Sequence, residues 1–382
     1  MRVEVIKTWE GAAEIRSAWL DLMEQCGRPA PFVHPSFCEL WMKHRETASR
    51  PFIIVLRDRA GIVGLAPLQI AETGGIFRLR RARFAVARPW LEVDFLVPGG
   101  TAEVFRTVLE AIRDESGVPV AEFFALNGSS PSLRLLESAA QDSGMSIEYS
   151  YSPQWRNALV EIRGGWDSYY QKRGPKLRKN ARRASEKLRK TGELLTKRYR
   201  KLDPAGSAWA AVRRVSERSW KRQQLFTGER FWEDLLALLG HEGWLDLHVL
   251  NLDEQPIAFA LLLRYGKTAY LLQTSYDCEY GTFSPGLLVI LESLKALFGE
   301  THPPSRVDFL TAHPYLVRLS TGVGQRVKAR VFMGGPRSML VEGVFRARRQ
   351  LGSGREERFF RSSTDLAMHL EKVGQVYAPR SG

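Results

Sequence analysis

The chain has 382 residues, 44% of them hydrophobic, and a formal net charge of +14, so it can bury a sizeable core and is long enough for two domains of ordinary size. We expect neither a signal peptide nor a membrane span, because the N-terminus lacks a positive stretch before an apolar core and the most apolar region is interrupted by Arg264 and Lys267. The three cysteines, at unrelated spacings, give neither a disulfide framework nor a CxxC metal site, which favours a cytoplasmic protein.

The first half is predicted to alternate strands and helices. Apolar periodicity and turn residues predict strands at 2–6, 52–57, 61–71, 76–86, 91–97 and 120–126. The same signals predict helices at 12–25, 36–44, 102–114 and 131–140. We place the end of this first domain at residue 152.

A strongly basic segment follows. Between Lys172 and Lys201 the sequence has 14 Lys or Arg and two Glu, so this segment carries +12 of the net +14. A localised excess of this kind attracts phosphates and other anions, although a solvated surface helix is the alternative. The partner predicted for this segment is a polyanion.

The basic segment is patterned as a helix. Pro175 suits a first helical position and Gly192 a left-handed stop, which predicts a helix over 175–191, called the basic helix below. Its apolar stripe is Leu177, Ala181, Ala184 and Leu188. Its candidate anion-binding residues are Arg178, Lys179, Arg182 and Arg183.

The second half repeats the order of the first. Helices are predicted at 207–222, 231–239 and 285–298, and strands at 245–250, 256–264, 268–276 and 306–310. Similar hairpin turns at 57–62 and 252–257 indicate a diverged duplication. We therefore expect a second domain over 153–345, followed by a surface appendage at 346–382.

A meander of strands, a long helix, another strand and a shorter helix resembles the acetyltransferase fold of the GNAT superfamily, where acyl-CoA phosphates lie at the N-terminus of the long helix. The second half resembles more narrowly the cellulose-biosynthesis (CelD-type) acyltransferase family, relatives of the FemAB-type peptidyltransferases. The matching segments are KLRKNARRASEKLRK, Trp220-Lys221, Phe231-Trp232, Pro256-Ile257-Ala258, Tyr276-Asp277 with Tyr280, Ser284-Pro285-Gly286-Leu287-Leu288, and Asp308-Phe309-Leu310. The resemblance implies an α/β (α+β) fold of two tandem GNAT-like domains with mixed, mostly antiparallel sheets flanked by helices.

The sequence departs from the family pattern after Leu310. The family continues into a glycine and then a Tyr-Lys pair, whereas this chain has Ala312, a residue fewer before Tyr315, and Leu316 in place of the lysine. Arg318 is a candidate for the missing cation. Loss or alteration of the chemistry is the other interpretation.

Acyl transfer from CoA needs a cradle for the pyrophosphate. Ser284 suits an N-cap and Gly286 lets a ligand approach the backbone. The expected contacts with acyl-CoA, the co-substrate, are Tyr280, Ser284, Gly286 and Leu287. Because the common GNAT phosphate pattern is absent, an ordinary capped helix is the alternative.

The reaction also needs proton transfer. Asp277 and Asp308 are predicted at the ends of neighbouring strands, where either can act as base if burial raises its pKa, although strand-end aspartates are often turn residues. Tyr276 and Tyr315 are candidate donors to the oxyanion or the leaving thiolate, with packing as the alternative role.

Trp220 and Lys221 are candidates for stacking on a ligand and contacting its phosphate, although helical spacing favours core packing of Trp220. The histidines have no ligand spacing, so we predict no metal.

The expected function is transfer of an acyl group, with acetyl favoured, from acyl-CoA to an amine or hydroxyl of a small-molecule or glycan acceptor, in polysaccharide or cell-envelope metabolism. One alternative is a FemAB-type transferase whose donor is aminoacyl-tRNA. The other is a non-enzymatic adaptor at anionic lipid or polysaccharide. In these alternatives the basic helix binds tRNA or a phospholipid surface.

Overall fold

The computed structural model describes residues 1–27, 30–45, 49–73, 78–201, 206–222, 229–350 and 357–377. Its internal contacts divide the chain into two compact units. The first unit contains residues 1–157 together with the chain from 324 to the last described residue, and the second contains residues 158–323.

The elements of the first half begin with a strand and three helices. In chain order they are β1 (Arg2–Ile6), α1 (Trp9–Glu14), α2 (Arg16–Gln25), α3 (Pro35–Arg45), β2 (Arg50–Arg57), β3 (Ile62–Thr73), β4 (Leu79–Phe84), α4 (Ala102–Ser116), β5 (Val120–Asn127), α5 (Ser132–Asp142) and β6 (Ser146–Glu161). Residues 76 and 77 of the predicted strand 76–86 lie outside the described residues.

The second half opens with helices. Its elements are α6 (Trp166–Gln171), α7 (Pro175–Arg189), β7 (Leu194–Tyr199), α8 (Ser207–Glu217), α9 (Glu229–His241), β8 (Leu245–Leu252), β9 (Gln255–Tyr265), β10 (Thr268–Tyr276), a 3-10 helix (Cys278–Phe283), α10 (Pro285–Phe298), β11 (Arg306–Asp308), α11 (Pro314–Val317), β12 (Gly322–Phe332), α12 (Gly335–Gln350), β13 (Arg358–Phe360) and α13 (Ser363–Tyr377).

The strand predicted at 91–97 is wrong. The stretch forms only an isolated bridge between Leu65 and Leu96. Asp94 Oδ1 accepts a hydrogen bond from the Phe95 amide at 2.8 Å. Local bonds of this kind compete with pairing in a sheet.

The sheet of the first unit has the strand order β1-β2-β3-β4-β5-β12-β6, with β13 also beside β6. The pairs β1–β2, β2–β3 and β3–β4 are antiparallel, whereas β4 and β5 are parallel and are connected through α4. A ring cluster of Phe84, Phe95, Phe105 and Phe123, with neighbouring centroids 5.0–5.5 Å apart, fills the core beneath α4.

The sheet of the second unit has the order β6-β11-β10-β9-β8-β7. The pairs β7–β8, β8–β9, β9–β10 and β6–β11 are antiparallel, and β10 and β11 are parallel, connected through α10. Helix α10 is apolar on nearly every side, and Leu288, Val289 and Leu294 belong to the core of this unit. A helix with this composition is stable only when it is buried.

Both units thus place a four-stranded antiparallel meander, a long helix and a parallel strand in the same order, which confirms the expected fold class. The boundaries differ from 1–152 and 153–345, because β6 and β12 each cross from one unit to the other. Strand β12 pairs with β5 although almost 200 residues of sequence separate them, and such pairing leaves no local signal in the sequence.

The C-terminal segment also differs from the expected surface appendage. Leu366 and Leu370 of α13 are buried, and the Leu370 carbonyl accepts a hydrogen bond from Gln325 Nε2 at 2.9 Å. The apolar side of α13 therefore makes residues 363–377 part of the first unit.

The basic helix is α7, and Pro175 is at its N-terminus as predicted. Leu177, Ala181 and Leu188 are buried, which confirms the apolar stripe. The left-handed stop at Gly192 is wrong, because a right-handed Lys190 caps the helix. Gly192 is instead a point of close approach, since a β-carbon there would lie 2.5 Å from the Asp253 carboxylate.

Candidate active site

The candidate site begins where β10 and β11 separate. Their parallel register ends with Asp308 opposite Tyr270, while β10 continues to Tyr276. Beyond Asp308 the chain stays bonded to the opposite neighbour, since the Phe309 amide donates to the Ala158 carbonyl at 3.0 Å. Within the described part of the second unit, the Leu271–Tyr276 edge facing away from β9 therefore has no partner strand. We call this opening the β10 cleft.

Tyr276 lies at the far end of the β10 cleft. Its ring is close to two backbone positions that have no side chain: a β-carbon would be 3.2 Å from Cδ1 at Gly286 and 3.5 Å from Cε2 at Gly281. Gly281 belongs to the 3-10 helix and Gly286 to the first turn of α10. The two glycines therefore let the ring of Tyr276 pack against the start of the long helix.

Tyr315, on the short helix α11, is brought close to Tyr276. Burial raises the pKa of the Tyr315 phenol, and the neighbouring Tyr276 raises it further. Sequence reasoning chose both tyrosines, but it considered His313 only as a metal ligand. The His313 ring lies 4.8 Å from that of Tyr315, between centroids, and its side chain is exposed.

The start of α10 differs from the expected N-cap. Ser284 has a left-handed backbone with φ of +50° and makes no capping bond with its side chain. Its carbonyl instead accepts from the amides of Leu287 at 3.0 Å and Leu288 at 3.3 Å. Because Pro285 has no N–H group, Gly286 carries the first-turn amide best placed to meet an external acceptor.

Asp277 holds the loop that follows β10. The side chain accepts from the Glu279 amide at 3.0 Å and pairs with Arg218 Nη1 at 3.3 Å. The backbone carbonyl of Arg218 in turn accepts a hydrogen bond from the Cys278 amide at 3.1 Å. Sequence reasoning missed Arg218, whose pairing with Asp277 depends on the fold.

Asp308 is also buried and makes a local bond. Its Oδ1 accepts from the Leu310 amide at 2.7 Å, and Leu310 has a left-handed φ of +61°. Asp277 lies seven residues beyond Tyr270, the partner of Asp308, or roughly 20 Å along the strand at about 3.3 Å per residue. The two aspartates therefore lie at opposite ends of the β10 cleft.

The basic helix packs against the 3-10 helix and α10. Leu177 and Ala181 share a core cluster with Tyr280 and Leu287, which places this helix beside the start of α10. Among its expected anion-binding residues, Arg178 donates through Nε to the Arg173 carbonyl at 3.1 Å.

The outer face of the basic helix carries the remaining candidates. Arg182 pairs with Glu186 at 3.6 Å and is exposed. Lys179 and Arg183 are also exposed. The exposed guanidinium and ammonium groups are therefore available to an anion in solution.

Trp220 is 63% exposed, so the core packing favoured by its helical spacing is wrong. Helix α8 ends at Glu217, so Trp220 lies in the turn that follows. Lys221 Nζ lies 5.4 Å from the Trp220 ring centroid and donates to the Thr274 carbonyl of β10 at 3.2 Å. Burial lowers the pKa of Lys221.

A second group of charges in this unit was not foreseen. Asp246 is fully buried and receives a two-pronged pairing from Arg198, at 2.7 and 2.6 Å. Arg264 Nη1 pairs with Glu300, just after the C-terminus of α10, at 2.8 and 2.9 Å. This network lies at the end of α10 remote from Tyr276 and holds β7, β8 and β9 to that helix.

Within the described residues, no group of three or more His, Cys, Asp or Glu is arranged to hold a metal ion. No helix among them has the length and apolar character needed to cross a membrane.

The antiparallel meander in each unit and the β10 cleft in the second unit together define a tandem GNAT-like fold. Residues 175–315 match a family model described as an acetyltransferase (GNAT) domain. The match runs from the first residue of the basic helix to Tyr315 and includes the entire β10 cleft.

Solved structures show the same fold across both units. The crystal structure of FemX has a TM-score of 0.58 and 11% identity over 87% of this chain and 97% of that chain. A tandem GNAT protein from the clavulanic acid biosynthesis pathway has a TM-score of 0.50 and 15% identity over 88% and 100%. A protein of unknown function from Bacteroides thetaiotaomicron has a TM-score of 0.53 and 11% identity, over 86% of this chain and 100% of that chain. No relative among curated protein sequences matches the chain.

Proposed function

We propose that the protein transfers an acyl group, with acetyl favoured, from acyl-CoA to an amine or hydroxyl of a small-molecule or glycan acceptor. The observation that carries this proposal is the β10 cleft, whose free strand edge leads to Tyr276 and Tyr315 beside the N-terminus of α10. The GNAT-type domain match over the same residues supports the acyl-transfer chemistry.

The free edge of β10 suits the arm of a CoA thioester. Its backbone groups other than those of Thr274, whose carbonyl and amide are bonded to Lys221 Nζ and Gln273 Oε1, can bond the amides of an extended ligand as a neighbouring strand would. The exposed cations Lys179 and Arg183 of the basic helix suit the phosphates, and Gly286 leaves room for the ligand beside Tyr276. Tyr280 and Leu287 then lie along the path of the ligand, in the cluster beneath the basic helix.

The reaction needs one group that donates a proton and one group that accepts a proton. The acceptor nitrogen or oxygen attacks the thioester carbon, the resulting oxyanion collapses, the C–S bond breaks, and CoA leaves as a thiolate that takes a proton. Because the pKa of Tyr315 is raised, its phenol stays protonated at neutral pH and can supply that proton. Tyr276 supports it from the adjacent position.

We propose the two aspartates as alternative bases, because Asp277 adjoins Tyr276 in the chain whereas Asp308 lies roughly 20 Å away along β10. Asp277 is committed to Arg218 and the Glu279 amide. Asp308 lies where β10 and β11 separate and has one carboxylate oxygen on the Leu310 amide. We propose that the protein is a CelD-type acyltransferase that acts in polysaccharide or cell-envelope metabolism. Its cytoplasmic location stays a prediction.

A second candidate is transfer from aminoacyl-tRNA. It is favoured by the concentration of charge on the basic helix, which exceeds what the phosphates of one CoA require. The fold shared with FemX is compatible with both donors, because a fold does not by itself determine a substrate.

Calorimetric titration tests the donor. Acetyl-CoA and longer acyl-CoAs are titrated into the full chain at two salt concentrations, with total tRNA as competitor. Saturable acyl-CoA binding that tRNA does not displace supports the proposal. Absence of acyl-CoA binding together with steeply salt-dependent tRNA binding overturns it in favour of the second candidate.

A further inference from the structure

Helix α12 of the first unit has a large apolar surface that faces solvent. Met339 and Leu340 are each 70% exposed and Val344 is 47% exposed. Three large apolar side chains so accessible on one helix are unusual, because single exposed residues are normal but contiguous patches mark interaction sites.

The opposite side of α12 is firmly attached. Ser338 Oγ donates to the Pro119 carbonyl at 2.8 Å. The Arg330 guanidinium lies 4.0 Å from the centroid of the Phe345 ring. Arg349 pairs with the buried Glu148 at 2.8 Å. The helix is thus held by its inner face, and its apolar outer face is presented by a fixed scaffold.

The exposed apolar residues form one arc. At about 100° per residue, the outer positions from Met339 to Val344 cover roughly 140° of the helix. The smaller residues Pro336, Gly343 and Ala347 fill the same arc and are also exposed. No acidic residue lies within this arc, which we call the α12 face.

Arginines border the α12 face on both sides. Arg337 and Arg348 lie at one edge and Arg346 at the other, and all three are exposed. Arg346 is also paired along the helix with Glu342 at 2.5 Å. Long basic side chains beside an apolar strip let their stems lie on apolar material while their charges reach anions.

We propose that the α12 face docks on the surface of an anionic phospholipid bilayer, with Met339, Leu340 and Val344 in the boundary between headgroups and acyl chains. The arginines at its edges meet the lipid phosphates. The charge pattern favours this occupant over a second copy of the chain, because a two-fold contact through this face would bring arginine edges together. The inference is independent of the proposed reaction.

Vesicle sedimentation tests the docking. The full chain is mixed with vesicles of phosphatidylcholine alone and of phosphatidylcholine with phosphatidylglycerol, at low and high salt. We expect binding to the anionic vesicles that weakens with salt. The paired substitutions Leu340→Glu and Val344→Glu should abolish binding, whereas Met368→Glu, on an exposed residue of α13, should leave it unchanged.

The charge contribution is tested separately. Replacing Arg337 and Arg348 with Gln should weaken binding to anionic vesicles by roughly 30-fold, at about 1 kcal/mol for each basic residue. Replacing the exposed Arg59 and Arg78 with Gln is the matched control. Thermal melts and circular dichroism show that each variant is folded.

Three results overturn the proposal. The first is equal vesicle binding by the wild type and the Leu340→Glu/Val344→Glu variant. The second is vesicle binding that is lost only when Lys179 and Arg183 of the basic helix are reversed to Glu. The third is a wild type that does not bind vesicles but self-associates in ultracentrifugation, together with loss of that self-association in the Leu340→Glu/Val344→Glu variant. This result would assign the α12 face to a second copy of the chain.

Discussion

The ring of Tyr276 packs against Gly286 so closely that a β-carbon at Gly286 would lie 3.2 Å from Cδ1 of the ring. This relationship connects the end of β10 to the first turn of α10. It keeps the tyrosine beside Tyr315 at the helix start. The site thus depends on the absence of a side chain at one position.

Substituting Gly286→Ala should therefore displace Tyr276. Overpacking of this kind costs about 1–3 kcal/mol, so we expect acyl-CoA binding to weaken by roughly tenfold or more. Calorimetry measures the affinity, and Gly165→Ala is the control because a β-carbon there meets nothing within 4 Å. Unchanged affinity in Gly286→Ala would separate Gly286 from the ligand path.

Asp308 can be tested for base chemistry apart from its structural bond. Asp308→Asn keeps an oxygen that can accept from the Leu310 amide but cannot take a proton, whereas Asp308→Ala removes both. If Asp308 is the base, both variants lose turnover by about 10²–10⁴-fold. Steady-state turnover and thermal melts are measured together. Near-normal activity in Asp308→Asn with loss only in Asp308→Ala would reduce Asp308 to a turn residue.

The exposed charges of the basic helix should govern affinity for the anionic ligand. We expect Lys179→Glu combined with Arg183→Glu to weaken acyl-CoA binding by about tenfold at low ionic strength, with a smaller effect at high salt. Arg163→Glu is the comparison, because Arg163 is an exposed arginine of the same unit outside this helix. Equal salt dependence in the two variants would show that the basic helix does not bind the phosphates.

Glu122 should make the first unit sensitive to acid. Burial by itself would raise its pKa, but Arg330 and Arg81 outweigh burial and lower the pKa from 4.5 to about 2. Because the folded pKa is depressed, the stabilisation is present above about pH 4.5 and is lost as the pH falls toward 2. It is on the order of 3 kcal/mol at neutral pH, at about 1.4 kcal/mol per pKa unit.

Glu122→Gln should remove this dependence. Hydrogen exchange of the β5 amides, corrected for intrinsic rates, reports on the first unit and is compared at about pH 3 and about pH 6. The wild type should lose protection at the lower pH, and the variant should be weakly protected at both. Glu115→Gln, which breaks an exposed pair with Lys7, should behave like the wild type.

Several parts of the site could be predicted from local patterns. The basic helix, the long apolar helix and the turn-separated strands have periodic signals that act within one element. Tyr276, Gly286 and Tyr315 were chosen from short segments, and the structure brings them together. The predicted left-handed end of the basic helix and the predicted N-cap at Ser284 were wrong, because residues distant in sequence determine which backbone conformation fits.

The sequence by itself determined the position of the charge, the long helix of each unit and most strands of the two meanders, since each depends on neighbours a few residues apart. Only the tertiary structure decided that β12 pairs with β5, that Asp277 and Asp308 lie at opposite ends of the β10 cleft, and that α12 presents its apolar side to solvent. These outcomes depend on contacts between segments that are distant in sequence and meet only when the chain folds. The periodicity of each segment does not specify those contacts.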